Sequence, residues 1–498
     1  MKKKGFTLIE LLAVILILGI IALIAIPTVN NILKEARQGA FKASSDNIMK
    51  SMEEACQTSL IKGERPNLYY TFLDGKTNFS LNVKGTMPDD GYVFLNNECT
   101  VTDFYLTDKI NVYSSSEDFR KDLMLKASTE TETSIFKTMY SSYFDKIVKV
   151  SFVDNLNISE NAIEVKDPSM SEKGKIKSWL EPDGENYHLY IGSENKIFAN
   201  YDSSYLMNGF TIATHININN LNTDFTENMT YMFGNCEQVE TLNVANFNTF
   251  NVTNMDHLFG RCSKLKSLNL SNWDTRNVNN MFSLFALCRK LENPNVYNWD
   301  TSNVENMSSL FYCCESITSL DLSRWDTAKT KSLDMMFFCC EKLLNLNVAN
   351  WNTSNVRRIY SMFFGCKKLK NININNWDVS KVTEMWSLFV GCAELESIDL
   401  SKWNTSSVTS ATGMFKNCYV LSTIDISNFT FSASTNITDF FNENNNNIIN
   451  IKAKADTINK IIDYIPNRIG VGTGTITING DSSGLDTTTL SGKNWNII

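Results

Sequence analysis

Two unlike hydrophobic textures share this chain. From Phe6 to Ile26 the residues are almost all apolar, with Glu10 as the single charged side chain, and the run is long enough to cross a bilayer. Past Pro27, the residues Val29, Ile32, Leu33, Ala36, Ala40, Phe41, Ile48 and Met52 recur at helical spacing, so one long helix is expected to reach about Cys56. Its other face carries Lys34, Glu35, Arg37, Lys42 and Asp46, the pattern of a helix laid on a small domain. Between Leu60 and Val112, alternating runs such as LYYTFL, GYVFL and VTDFYL are separated by turn signals at Asp74-Gly75 and Pro88-Asp89-Asp90-Gly91, which predicts a small antiparallel sheet. Residues 113–145, rich in Ser, Thr and Glu, read as a linker with some helical pattern.

The second texture is a 26-residue repeat that runs without an insertion. Cysteine falls at 236, 262, 288, 314, 340, 366, 392 and 418; phenylalanine falls at 233, 259, 285, 311, 337, 363, 389, 415 and 441. Tryptophan or phenylalanine stands at 247, 273, 299, 325, 351, 377, 403 and 429. Within one copy, Met307, Leu310 and Phe311 have the spacing of a short helix, whereas Leu320 and Leu322 alternate as a strand. No copy can bury its apolar face alone, and stacking places like residues on like in continuous ladders, so the product is a solenoid. Pro294 stands where other copies have leucine or isoleucine and is expected to break one ladder hydrogen bond and leave a local bulge. The outward strand position is filled by Asn243, Asn269, Asn295, Asp321, Asn347, Asn373, Asp399 and Asp425. That row could receive glycan hydroxyls or a partner's backbone, or its members could satisfy one another and keep the sheet soluble; no exposed aromatic stripe is expected beside it.

Composition narrows the function classes. A length of 498 residues suggests about three units at ~150 residues per domain. The 46 basic and 54 acidic residues leave a net charge of −8, which makes nucleic acid a poor main ligand. His188, His215 and His257 are scattered in no triad or metal spacing. The recurrent Trp-Asp-Thr reads as a turn whose Asp or Thr bonds local backbone amides. One cysteine per coil reads as a small buried hydrophobe, and no cysteine cluster has zinc spacing. Neither catalytic residues, nor a cofactor, nor a metal is expected, and the chain is not read as an enzyme. Cys56 and Cys99 lie apart from the repeats and form either a disulfide, in an exported domain, or reduced half-buried thiols.

The first residues, MKKKGFTLIELLAVILILGIIALIAIP, resemble the N-terminal methylation signal of type IV pilins and pseudopilins: Lys2 to Lys4 as leader, Gly5 and Phe6 at the cut, Glu10 as fifth mature residue, and Pro27 as the kinking proline. The resemblance implies cleavage and methylation by a prepilin peptidase, assembly with other pilin-like subunits, and neutralisation of a neighbour's Phe6 ammonium by Glu10. That partner would offset the cost of a carboxylate in lipid.

The 26-residue unit resembles the repeat of BspA-like leucine-rich repeat surface proteins, LxxLxLSxWDTSxVxxMxxMFxxC, and the likeness extends over roughly residues 146–498. The fold class expected is therefore α/β: a long pilin-type helix with a small antiparallel β head, then a leucine-rich-repeat-like solenoid with one strand and one short helix per coil. The boundaries read 1–5 leader, 6–112 helix and head with a membrane span at 6–27, 113–145 linker, 146–228 N-terminal cap, 229–441 repeats and 442–498 C-terminal cap. The expected role is a minor pilin-like surface adhesin that binds an unidentified host protein or glycan. It would be single-pass in the cell membrane with an extracellular head, or part of a surface filament. The alternatives are a membrane-retained surface repeat protein that never polymerises and a pseudopilin of a DNA-uptake or secretion system.

Overall fold

The structure is a computed structural model and describes residues 8–62, 69–73, 76–77, 87–88, 90–95, 98–107, 112–114, 120–128, 133–171, 174–441 and 447–498, the side chains of 8–32, 69, 71–73, 76–77, 90, 92, 94, 102–103, 105, 107, 112–114 and 120–121 excepted. The chain divides into two compact units, residues 1–119 and 120–498.

In the first unit a helix, α1, spans Leu8–Ile61. Five strands form an antiparallel sheet in the order β2-β1-β3-β4-β5, with β1 at Tyr69–Leu73, β2 at Lys76–Thr77, β3 at Asp90–Leu95, β4 at Val101–Thr107 and β5 at Val112–Ser114. Among the described side chains, the apolar stripe of α1 is buried from Phe41 onward, through Ile48, Met49, Met52 and Cys56, against Tyr70, Val93, Leu95 and Leu106. Leu33, Ala36 and Ala40, which share the stripe by spacing, are exposed. Cys56 and Cys99 are disulfide-bonded with Cα atoms 5.6 Å apart, closing a span of 43 residues. Loop closure on that scale stabilises by about 4 kcal/mol.

The second unit begins within the stretch read as a linker. Leu123, Met124, Leu125, Phe136 and Tyr140 are buried, and Leu125 donates its N–H to Phe198 O at 2.9 Å. Polar composition concealed this packing, because the few apolar residues of 120–145 fall where the cap needs them. A five-stranded sheet follows, in the spatial order 215–217, 147–153, 186–192, 177–183, 163–166. Its strand His215–Asn217 pairs in parallel with Ile147–Val153, which carries the cap directly into the first coil.

Through the repeats the coil contains turns rather than the short helix that the Met-x-x-Leu-Phe spacing suggested. The reason lies in where the amides donate. Met229, Tyr231, Phe233 and Asn235 donate to Asn254, Asp256, Leu258 and Gly260 of the next coil at 2.8–2.9 Å, while Met232 and Gly234 donate three residues back. Every second amide is thus taken by the neighbouring coil, and no i to i−4 ladder can form. Two residues per coil adopt left-handed backbone to aim these groups, such as Tyr231 (φ 51°) with Asn235 (φ 59°) and His257 (φ 50°) with Arg261 (φ 63°). Among the described coils, helices appear at Ala455–Ile461 and Thr487–Gly492, near the end, where parallel strands 397–399, 423–425, 450–453, 474–478 and 495–497 form one sheet.

Side chains complete the stacking. The rings of Phe233, Phe259, Phe285 and Phe311 stack with centroids 5.5–5.8 Å apart. Trp273, Trp299, Trp325 and Trp351 stack at 6.3–6.4 Å. Each indole also donates to a carbonyl of the preceding coil: Trp299 to Leu270 O at 3.2 Å, Trp325 to Val296 O at 3.1 Å. In the Trp-Asp-Thr turn the Asp acts locally, Asp300 accepting from the Ser302 N–H at 3.0 Å, but the threonine does not. Thr301 Oγ1 donates to Asp326 O of the next coil at 2.9 Å.

Trp325→Phe keeps the stack and deletes one of the two donors to the Val296 carbonyl, which retains the Trp299 N–H at 3.2 Å. Losing that bond and part of the buried ring should lower unfolding free energy by about 1.5 kcal/mol in urea melts, against under about 1 kcal/mol for Trp386→Phe on the half-buried outer face. Asp224 is pushed up to about 6 by burial, against the opposing effects of the Asn248 and Asn222 hydrogen bonds and the Lys196 charge. Its folded form holds a proton that the unfolded chain releases near its ordinary value, so its contribution to stability falls as pH rises from about 4 through about 6. Asp224→Asn should remove that part of the slope in melts taken across this range.

Candidate functional site

On the strand face, seven members of the predicted row, from Asn243 to Asp399, are exposed, and Asp425 is half-buried. Their oxygens mostly close turns: Asp321 accepts from the Ser323 N–H at 3.1 Å, Asp399 from Ser401 at 2.9 Å, and Asp425 from Ser427 at 3.0 Å. Asn347 Nδ2 also donates along the row to Asp321 at 3.1 Å. Hydrogen bonds from Ser323 hold the Asp321 carboxyl below the usual carboxylate range. Much of the binding capacity read into this row is therefore spent on its own backbone.

Pro294 changes this face. Ser267 bridges Asn293, and Ser319–Asp321 pairs with Asn345–Asn347, while among the described residues no strand pairing joins 293–295 to 319–321. Asn295 turns to φ 55° and sends its Nδ2 back to Leu268 O at 3.0 Å. The break opens a notch of about 380 Å³ lined by Asn293, Asn295, Tyr297, Ser319 and Asp321. Tyr297 is 42% exposed, with the Arg324 guanidinium 5.2 Å from its ring centroid. A single exposed aromatic, though no stripe, thus stands beside the row next to this break in the ladder.

A larger recess lies along the turn side of the coils, where sequence reasoning placed only core. It has a volume of about 510 Å³ and runs from Tyr205 past Tyr231, His257 and Arg261 to Tyr312 and Met335. The signal was present as Tyr, Tyr, His at positions 205, 231 and 257, one repeat apart.

The ladder cysteines are buried, and each donates Sγ–H to a carbonyl 29 residues earlier, as Cys314 does to Phe285 O at 3.1 Å. Burial pushes the Cys262 thiol up to about 12. Cys313 and the partly exposed Cys339 differ: their thiols hydrogen-bond across adjacent coils, which holds Cys313 below the usual range and pushes Cys339 up. His188 is stacked on Tyr190 and bonded to Ser151 Oγ at 2.9 Å. Among the described residues, no group of His, Cys, Asp and Glu is placed to hold a metal ion. Gly5 and Phe6 lie outside the described residues, as does the Glu10 side chain, whose backbone is in α1. Among the described residues no helix is long and apolar enough to cross a membrane, and the span read at 6–27 falls outside the side chains described.

Comparison with known families gives two matches. Residues 1–26 match the prokaryotic N-terminal methylation motif. Residues 227–348, 261–371 and 332–454 match the family described as Mycoplasma protein of unknown function, DUF285. No curated protein matches. Among solved structures, the TLR13–ssRNA13 complex is similar at 15% identity over 60% of this chain and 38% of that one, with a TM-score of 0.26. A leucine rich cell surface protein from Faecalibacterium prausnitzii A2-165 is similar at 15% identity over 69% of this chain and 96% of that one, also with a TM-score of 0.26. The functional domain of InlJ from Listeria monocytogenes, whose description includes a cysteine ladder, is similar at 12% identity over 59% and 60%, with a TM-score of 0.15.

With a water-soluble disulfide probe on native protein, the Cys313–Cys339 pair should react first, Cys313 supplying the thiolate and the partly exposed Cys339 the access, while the eight ladder thiols should stay unreactive until the chain is unfolded. Thiol counting before and after denaturant checks this.

Proposed function

Because the chain joins a prepilin-type methylation motif to BspA-like leucine-rich repeats, we propose that it is a minor pilin-like cell-surface protein that binds an extracellular ligand through its solenoid. The single observation that supports this most is the pairing itself. A signal that places a helix among other pilin-like subunits is joined to a stacked array whose core is closed and whose outer faces carry recesses. The partners at the N-terminus are a prepilin peptidase, cutting between Gly5 and Phe6, and neighbouring subunits, with Glu10 meeting the Phe6 ammonium. A head as large as the unit 120–498 would crowd a filament wall, which favours a tip position or few copies. The ligand would be a host protein or glycan, and the location the membrane or a surface filament.

The repeats support binding rather than catalysis. Features that look chemical in one coil recur in its neighbours and are used for stacking: the ladder thiols donate to carbonyls, and the Trp-Asp-Thr residues close turns and bond the adjacent coil.

The test is N-terminal peptide mass spectrometry of the protein from its own membrane and sheared surface fractions. Mature chain should begin at N-methyl-Phe6, and Glu10→Ala should drop out of the sheared fraction by at least about tenfold, the scale of one lost charge pair in lipid, with unchanged head folding. An intact leader beginning at Met1, or normal incorporation of Glu10→Ala, would sink the assembly reading and favour a membrane-retained surface repeat protein.

A further inference from the structure

The turn-side trough is built by substitutions at three positions of the coil. At the first left-handed position, Tyr205, Tyr231 and His257 stack on one another with centroids 5.3 and 4.3 Å apart and planes within 12°. The next two coils have Ser283 and Ser309 there, and the third has Met335. Three residues further on, the coils carry Gly234, Gly260 and Ala286 before Tyr312. These small residues are required: a Cβ on Gly234 would lie 2.5 Å from Tyr231 Cδ1, and one on Gly260 would lie 3.2 Å from His257 Cδ2. These positions make room for the aromatic rings, and the stack stops at His257, so the two serine coils leave a gap between that ring and Tyr312.

Polar groups are set along the same trough. Asn235 Nδ2 donates to Asn208 Oδ1 at 2.9 Å, and Asp256 is hydrogen-bonded to His257 Nδ1. Arg261 is exposed and has no ion pair among the described residues. The three rings stack face to face along the solenoid and so turn their edges to the trough; those edges beside planar amide, guanidinium and hydroxyl groups suit a saccharide, which offers C–H groups and a rim of hydroxyls. A peptide adding as a strand would need unpaired backbone donors and acceptors along the trough, but here alternate amides donate to the next coil, as Tyr231 does to Asp256 O and His257 to Phe282 O. The spacing fits as well. Successive coils rise by ~4.8 Å, close to the length of one pyranose residue in an extended β-linked chain.

We propose that the trough from Tyr205 to Met335 binds a linear, extended β-linked glycan, one sugar per coil over four to five coils, as about 24 Å of groove allows at ~4.8 Å per coil. Arg261 meets an acidic or hydroxyl-rich edge of the sugar. This rests on the surface-binding reading above and names the ligand class of that reading.

The experiment uses the full chain in detergent and isothermal titration with cellohexaose, chitohexaose and hyaluronan hexasaccharide, with maltohexaose as a coiled α-linked control. Binding to at least one β-linked hexamer, weaker for its trimer by more than tenfold and absent for maltohexaose, is the expected result. Arg261→Ala and Ser309→Met should each weaken it at least tenfold. Ser309→Met copies the next coil, where Met335 already occupies this position, so it blocks the groove without a new fold demand; thermal melts should be unchanged. Asn347→Ala, on the strand face, should bind as the parent does. Binding to none of the β-linked hexamers, or binding indifferent to Ser309→Met, overturns the inference. Attachment of whole cells separates the two readings. If cells bearing Ser309→Met still attach while cells lacking the chain do not, the trough proposal fails and the adhesive reading stands. If cells lacking the chain attach as well as the parent, the adhesive reading fails too.

Discussion

Each coil leaves about half of its turn-side amides pointing along the solenoid axis, and those donors must find carbonyls on the next coil. A buried amide without a partner costs roughly as much as the net gain from several good ones, so a coil cannot be stable by itself. This requirement governs the rest of the repeat. The Cys Sγ–H and Trp Nε1–H groups supply further donors at a fixed offset of 29 residues, and the threonine hydroxyl bonds forward by 25. The repeat length has to stay constant at 26 because a single insertion would move every one of these donors off its acceptor.

The same constraint explains why the ends differ. The first coil receives its hydrogen bonds from the cap sheet through strand Ile147–Val153. At the other end the coil changes type: Ala455–Ile461 and Thr487–Gly492 are helices that satisfy their own amides, and Trp495, in the last strand, donates to Pro466 O at 2.9 Å. A helical coil needs less from a following neighbour, which suits the terminal position.

Recognition surfaces arise where the repeat departs from its own rule. Pro294 cannot donate, so the strand ladder fails there, a notch opens and Tyr297 emerges. Glycine at 234 and 260 and alanine at 286 clear the turn side and make room for the Tyr231 and His257 rings, stacked on one another across coils. The interior ladders have no such variation. Keeping the stack constant and varying the turn positions lets one scaffold carry sites of different chemistry at small cost in stability, since exposed substitutions usually change it by under about 0.5 kcal/mol.

Much was legible from residue order alone. The methylation motif around Gly5, Phe6 and Glu10, the 26-residue period, the buried cysteine position and the disruption at Pro294 all follow from residue types and spacing, because burial and missing donors are properties of single positions. The conformation of the Met-x-x-Leu-Phe segment did not follow. Spacing of three and four describes an α-helix and a pair of linked turns equally well, and the choice between them is made by acceptors a whole coil away in sequence. The pairing of Cys313 with Cys339, the burial of Leu123 and Phe136 in the cap, and the trough between His257 and Tyr312 were equally hidden. Each depends on what a neighbouring coil or strand places opposite, and only stacking in three dimensions brings those partners together.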